Sequence, residues 1–162
     1  MAMSPSVSPS PKVMLVVSGP ASCGKSTAIK LAFESLLRRA TIVAFSRSLP
    51  PVRADFLYFT DREVAAAVHW TPKIGIATRG DSAAEVRRSL GFLMSSGCKI
   101  IVCATRSRGG PSKAALSIAS THGYIVTARP KTPTPGSVTR RGQVNDAFAK
   151  AIRTWIKRYA GV

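Results

Sequence analysis

Short β-branched runs alternate with helix-length stretches along most of this chain, and that alternation limits the fold more than any other feature. Val13–Val17, Thr41–Phe45, Lys73–Ala77, Lys99–Ala104 and Tyr124–Thr127 are strand-length runs dominated by apolar and β-branched residues, and each reads as a buried strand. Helical spacing fills the intervals Lys25–Arg38, Ser82–Ser96 and Ser112–His122, and a last helix covers about Val144–Tyr159. Strands that alternate with helices predict a parallel sheet with helices on both faces. The expectation is an α/β fold of three layers, with a mainly parallel sheet of about five strands flanked by helices.

Two stretches interrupt the alternation. Ser46 to Trp70 contains Leu49-Pro50-Pro51 and then Phe56-Leu57-Tyr58-Phe59, and it has room for an extra strand, a short helix or a substrate-binding insertion. Pro130 to Gly142 is rich in Pro, Thr and Gly and reads as a loop. Residues 1–11 form a Ser/Pro tail with no core-forming pattern, expected to be disordered. Residues 12–162 then make one domain, the size at which a single core is usual. The apolar run Val13–Val17 is too short to cross a bilayer or to serve as the core of a secretory signal, so neither a membrane partner nor secretion is expected.

Twenty-four Lys and Arg stand against seven acids, a net charge of +17. A domain this basic usually meets a polyanion, and nucleic acid is the leading candidate. The charge is densest at the end: from Arg129 onward, Arg129, Lys131, Arg140, Arg141, Lys150, Arg153, Lys157 and Arg158 face one acid, Asp146. Arg140, Arg141, Lys150, Arg153, Lys157 and Arg158 are the expected backbone contacts, without base readout. The three cysteines, Cys23, Cys98 and Cys103, have neither metal-ligand nor redox spacing, which suits reduced thiols in a cytoplasmic protein. His69 and His122 lack a carboxylate or Cys neighbour at useful spacing and read as structural or surface residues.

The segment with the most chemistry is Gly19-Pro20-Ala21-Ser22-Cys23-Gly24-Lys25-Ser26, entered from a strand and left through a helix. It fits the Walker A pattern in full. Glycines at both ends let successive backbone N–H groups turn toward one anion, and the helix start adds its partial positive charge. Gly19, Ala21, Ser22, Cys23, Gly24, Lys25, Ser26 and Thr27 are the candidate phosphate-binding residues. Lys25 reaches β and γ phosphates, Ser26 ligates Mg²⁺, and Thr27 touches the α phosphate. The chain thus resembles the P-loop NTPase superfamily, with the motif as its core and the strand–helix pattern extending the likeness over about residues 12–160. The resemblance implies a nucleoside triphosphate and Mg²⁺ as cofactors. The Asn-Lys-x-Asp signal of guanine binders is absent after the late strand, where Thr127-Ala128-Arg129-Pro130 stands, so ATP is favoured.

Such enzymes usually place an acid at the end of a second buried strand. No strand here runs directly into Asp or Glu. Asp81, just past Ile74–Gly80, is the nearest substitute as a catalytic and metal-binding residue, although Asp81 or Ser82 also suits a helix cap and Ser82-Ala-Ala-Glu85 is a capping box. Asp55 and Asp61 are the runners-up. Thr105-Arg106-Ser107-Arg108-Gly109-Gly110 follows another strand and is similar to the arginine-bearing lid of small nucleotide and metabolite kinases, which assigns Arg106 and Arg108 to charge developing on a transferring phosphoryl group. Three functions fit: an ATPase or phosphotransferase acting on or beside nucleic acid, a nucleotide or small-metabolite kinase, and a non-catalytic nucleotide-binding module of a larger complex.

Overall fold

The computed structural model describes residues 11–20, 23–37, 41–45, 65–69, 74–78, 80–107 and 109–160. The chain order is β1 (Val13–Ser18), α1 (Lys25–Leu37), β2 (Thr41–Phe45), β3 (Ala65–His69), β4 (Ile74–Ala77), α2 (Ala83–Ser95), β5 (Ile100–Thr105), α3 (Gly110–Thr121), β6 (Ile125–Pro130) and α4 (Val138–Ala160). The Ser/Pro tail, apart from Pro11, lies outside the described residues, as do 46–64 and 70 of the first interrupting stretch.

The strands form one six-stranded sheet in the order β2-β3-β4-β5-β1-β6. Four of them, β4, β5, β1 and β6, pair in parallel, while β3 runs antiparallel to both β4 and β2. The α/β class and the parallel sheet flanked by helices agree with the sequence. The strand count does not: the parallel-paired set has four strands rather than about five, because β3 is inserted between β2 and the rest. This extra strand comes from the end of the Ser46–Trp70 stretch. Only residues 70–73 connect β3 to β4. That is too short for the crossover a parallel pair needs, so the chain turns back as an antiparallel neighbour.

The period-2 alternation of β1 divides the core. Val13, Leu15 and Val17 face α1 and α4, joining Ala28, Ile29, Ala32 and Phe33 of the first with Ala149, Ile152 and Ile156 of the second. Met14 and Val16 face the other way, toward Val86, Leu90 and Leu93 of α2 and Ala114, Ala115 and Ala119 of α3. Helices therefore cover both faces, and β1 is buried along its apolar length.

Two elements depart from the sequence reading. The late strand is not buried: among the described residues β6 is the sheet edge and pairs only with β1, and Ile125 is 65% exposed. The final helix starts at Val138, well before the expected Val144, which leaves only 131–137 of the Pro130–Gly142 stretch as loop. Ser137 starts it: its Oγ accepts from the Arg140 N–H at 3.2 Å and its carbonyl from the Arg141 N–H at 3.0 Å. Gly142, which reads as a loop residue, lies within the helix.

The turn from β4 to α2 is sealed against β5. The Arg106 N–H donates to the Gly80 carbonyl at 3.1 Å, and a Cβ on Gly80 would stand 1.8 Å from the Ala104 carbonyl oxygen. Neither backbone can yield without breaking the strand ends apart. Gly80→Ala is expected to destabilise the fold by about 2–3 kcal/mol, read as a lowered urea midpoint at unchanged m-value.

Candidate functional site

The chain leaves β1 at its carboxyl end, on the edge where open α/β sheets hold their ligands. Because β1 lies between β5 and β6, the exit is gripped from both sides. The Gly19 N–H donates to the Thr105 carbonyl at 3.2 Å, and the Lys131 N–H, next after β6, donates to the Ser18 carbonyl at 2.7 Å. A Cβ on Gly19 would meet the Lys131 carbonyl oxygen at 2.3 Å and Cys23 Sγ at 2.8 Å. At the far end of the loop Gly24 has φ +91°, and a Cβ there would approach Asn145 Oδ1 of α4 to 2.5 Å. Gly19 is thus required by close backbone approach and Gly24 by its positive φ.

Helix α1 begins at once. The Ala28 N–H makes its turn-closing bond to the Gly24 carbonyl at 3.0 Å, so the N–H groups of Lys25, Ser26 and Thr27 come before the first intrahelical acceptor. Lys25 is 9% exposed, and its Nζ donates to the Gly19 and Pro20 carbonyls, each at 2.7 Å, with Cys23 Sγ at 3.9 Å. The ammonium sits inside its own loop. Ser26 Oγ donates to the Thr78 carbonyl at 3.3 Å, which ties the first turn of α1 to the end of β4, and Thr27 is exposed.

Lys131 is a member of this site that the sequence reading placed only among the basic residues of the terminal segment. It is 3% exposed, its Nζ donates to the Cys23 carbonyl at 2.6 Å, and it lies 5.6 Å from the centre of the Phe148 ring. Burial lowers its pKa from the usual lysine value; Cys23 acts against that lowering and nearby Lys25 adds to it. The available signal was position, since Lys131 directly follows a strand's carboxyl end.

Of the two residues that suit a cap for α2, the structure uses one. Ser82 is the N-cap of α2, its Oγ accepting from the Glu85 N–H at 3.2 Å. Asp81 is half exposed and its Oδ1 accepts from Arg106 Nε at 3.1 Å. The sealed ends of β4 and β5 thus bring Asp81 and Arg106 together, while Ser26 meets Thr78. Thr105 is fully buried, and its Oγ1 has no hydrogen-bond partner among the described residues. Ala21, Ser22, Asp55, Asp61 and Arg108 lie outside the described residues.

Beside the loop opens a cleft of about 540 Å³, a volume typical of small-molecule sites. Gly24 and Thr27 form one wall, and Thr134, Val138, Arg141 and Asn145 the other. Gly142 also lines it, and a Cβ there would meet nothing within 4 Å. Cys103 takes no part: it is buried in the sheet, and desolvation pushes its thiol up to about 12. No group of three or more His, Cys, Asp or Glu is placed to hold a metal among the described residues, nor does any of their helices have the length and apolarity to cross a membrane.

No family model, curated protein or solved structure matches the chain.

The Asp81–Arg106 pair is exposed, and helix α2 keeps its own cap without it. Asp81→Asn is therefore expected to change stability by less than ~1 kcal/mol. If Asp81 positions a metal or nucleophile, the same variant slows ATP turnover by about 100-fold. Phosphate-release rates alongside a denaturant titration separate the two effects, and unchanged turnover would leave Asp81 as a surface partner of Arg106.

Proposed function

We propose that the chain binds ATP, with the triphosphate in the Gly19–Ser26 loop and the nucleoside in the adjoining cleft, and that it acts as a small Mg²⁺-dependent ATPase or phosphotransferase beside nucleic acid. The observation that carries this reading is the seat of the Walker A pattern: it bridges the end of a central parallel strand and the start of a helix, next to a nucleoside-sized cleft. In that reading Lys25 exchanges the Gly19 and Pro20 carbonyls for phosphate oxygens, a stronger charge-assisted bond. The N–H groups at the start of α1 supply the remaining donors. Ser26 takes a place in the metal shell, and Arg106 neutralises charge at the phosphoryl group. The bound triphosphate supplies the transferable group; the loop holds and orients it.

A nucleotide-binding module without turnover is the second reading, and one observation favours it. The end of β4 offers Ser26 the carbonyl of Thr78 and no carboxylate, while Asp81 is already paired with Arg106.

The basic residues of α4 divide three ways. Arg153 donates to the Leu31 carbonyl at 3.2 Å in the middle of α1, and Arg141 belongs to the cleft wall. Arg140, Lys150, Lys157 and Arg158 are exposed, clear of the buried stripe of Ala149, Ile152 and Ile156. These four form the proposed polyanion face, smaller than the set expected from sequence. Arg141 in particular is not independent of the nucleotide site.

Calorimetric titration with ATP and Mg²⁺ tests the binding reading. Lys25→Ala is expected to remove most affinity while keeping the fold. Gly142→Phe projects a ring into open cleft space and replaces a helical glycine, which gains ~0.5 kcal/mol of propensity. It should therefore fold at least as well as wild type while losing ATP affinity. Wild-type affinity in a folded Lys25→Ala protein would end the assignment of the phosphates, and wild-type affinity in Gly142→Phe would move the nucleoside out of the cleft.

Nucleic-acid binding is expected to weaken steeply with salt. Reversing Lys150, Lys157 and Arg158 to Glu should flatten the log–log salt slope by roughly 0.9 for each duplex phosphate that is no longer neutralised. Fluorescence anisotropy with single- and double-stranded probes measures this, and absence of binding at about 50 mM salt would remove nucleic acid as a partner.

A further inference from the structure

Lys131 and Lys25 hold different carbonyls of the same loop, Cys23 for the first and Gly19 and Pro20 for the second. Lys131 brackets the whole turn: its N–H holds the Ser18 carbonyl, its carbonyl packs against Gly19, and its Nζ holds the Cys23 carbonyl at 2.6 Å. A lysine that is 3% exposed carries a desolvation cost, and the acceptor it meets is a single neutral carbonyl with an aromatic ring beyond. A second ammonium, that of Lys25, lies in the same loop, and the two charges disfavour each other. Packing alone would be better met by an apolar side chain such as Met. The arrangement makes sense if an anion belongs nearby.

We propose that Lys131 is a positioning residue for the anion-binding loop, fixing the peptide between Cys23 and Gly24 so that the Gly24 N–H faces the phosphates. The reasoning rests on peptide geometry and on the triphosphate reading above. In a planar trans peptide the carbonyl and the following N–H point in opposite directions. Holding the Cys23 carbonyl outward at Lys131 therefore commits the Gly24 N–H to the other side of the loop. Gly24 has φ +91°, a conformation glycine leaves easily, so this peptide has little intrinsic hold on its orientation. The positive charge behind the carbonyl also polarises the peptide, strengthening the N–H as a donor.

The experiment compares wild type, Lys131→Met and Lys131→Ala by ATP titration, with thermal unfolding of each apo protein. Lys131→Met keeps most of the side-chain volume and lacks the donor and the charge. It is expected to unfold cooperatively and to bind ATP about tenfold or more weakly, the effect of removing one charge-assisted bond that orders a ligand donor. Lys131→Ala leaves a channel of the shape of n-propylammonium, and adding that amine should restore part of the missing affinity in Lys131→Ala while leaving wild type and Lys131→Met unchanged. Wild-type affinity in a folded Lys131→Met protein overturns the proposal. So does a loss in Lys131→Ala that propylammonium cannot reverse, because the proposal requires that an ammonium restored at this place recover affinity. If wild type itself fails to bind ATP, the triphosphate reading falls first and the assignment of Lys131 with it; binding by wild type with no effect at Lys131 refutes the positioning role alone.

Discussion

The hydrogen bonds that close around the carboxyl end of β1 hold the site together. A strand inside a parallel sheet has its direction and height fixed by two neighbours, and here both neighbours continue the grip past the last strand residue. Thr105 accepts from the Gly19 N–H on one side, and the Lys131 N–H reaches the Ser18 carbonyl on the other. The loop that follows is suspended between those points and the first turn of α1. Gly19 is compelled by the Lys131 carbonyl beside it, and Gly24 by a positive φ that other residues rarely adopt. The anion-binding geometry proposed for the loop therefore depends on the sheet order: β1 must lie between β5 and β6 for both anchors to exist.

Helix α4 connects this site with the rest of the molecule. Its buried stripe packs against α1 and one face of the sheet, its first turns form the far wall of the cleft, and its outer side carries Arg140, Lys150, Lys157 and Arg158. Asn145 sits against Gly24, and Phe148 lies under the Lys131 ammonium. One helix thus supports the loop, bounds the cleft and presents the basic face. Charge reversal at different positions along it is accordingly not equivalent: Arg141 touches the cleft, Arg153 secures α1, and the remaining four are surface.

Much of the architecture was legible because it is written in local chemistry. The β-branched runs located every strand but β3, the helical spacing located α1 to α3, and the Gly19–Ser26 pattern pointed to the sheet edge where the cleft lies. What could not be read was decided by tertiary placement. The exposure of β6 follows from its having one neighbour, which Ile125-Val126-Thr127 cannot announce. The antiparallel course of β3 came from the length of a connection between strands whose limits the pattern does not fix. The early start of α4 was hidden by Gly142, a residue whose usual meaning is a break and which here faces open space in the cleft. Lys131 was hidden for a different reason: its place just after a strand's carboxyl end was the one signal, and its residue type does not distinguish a buried lysine from the exposed basic residues around it.

The exposed edge at β6 has a consequence for how copies of this chain behave together. A strand with one side unpaired offers its backbone as a template for another strand, and Ile125 adds an apolar side chain to that invitation. Pro130 removes one donor from the outer ladder and Arg129 places a charge beside it, so the carboxyl half of the edge is guarded and the amino half is not. The remaining protection is electrostatic. Molecules carrying +17 repel one another before their edges can align, and that barrier shrinks as the Debye length contracts with ionic strength. Colloidal stability and the proposed polyanion affinity thus draw on the same charges, and a polyanion that neutralised them would also withdraw the repulsion that keeps the open edges apart.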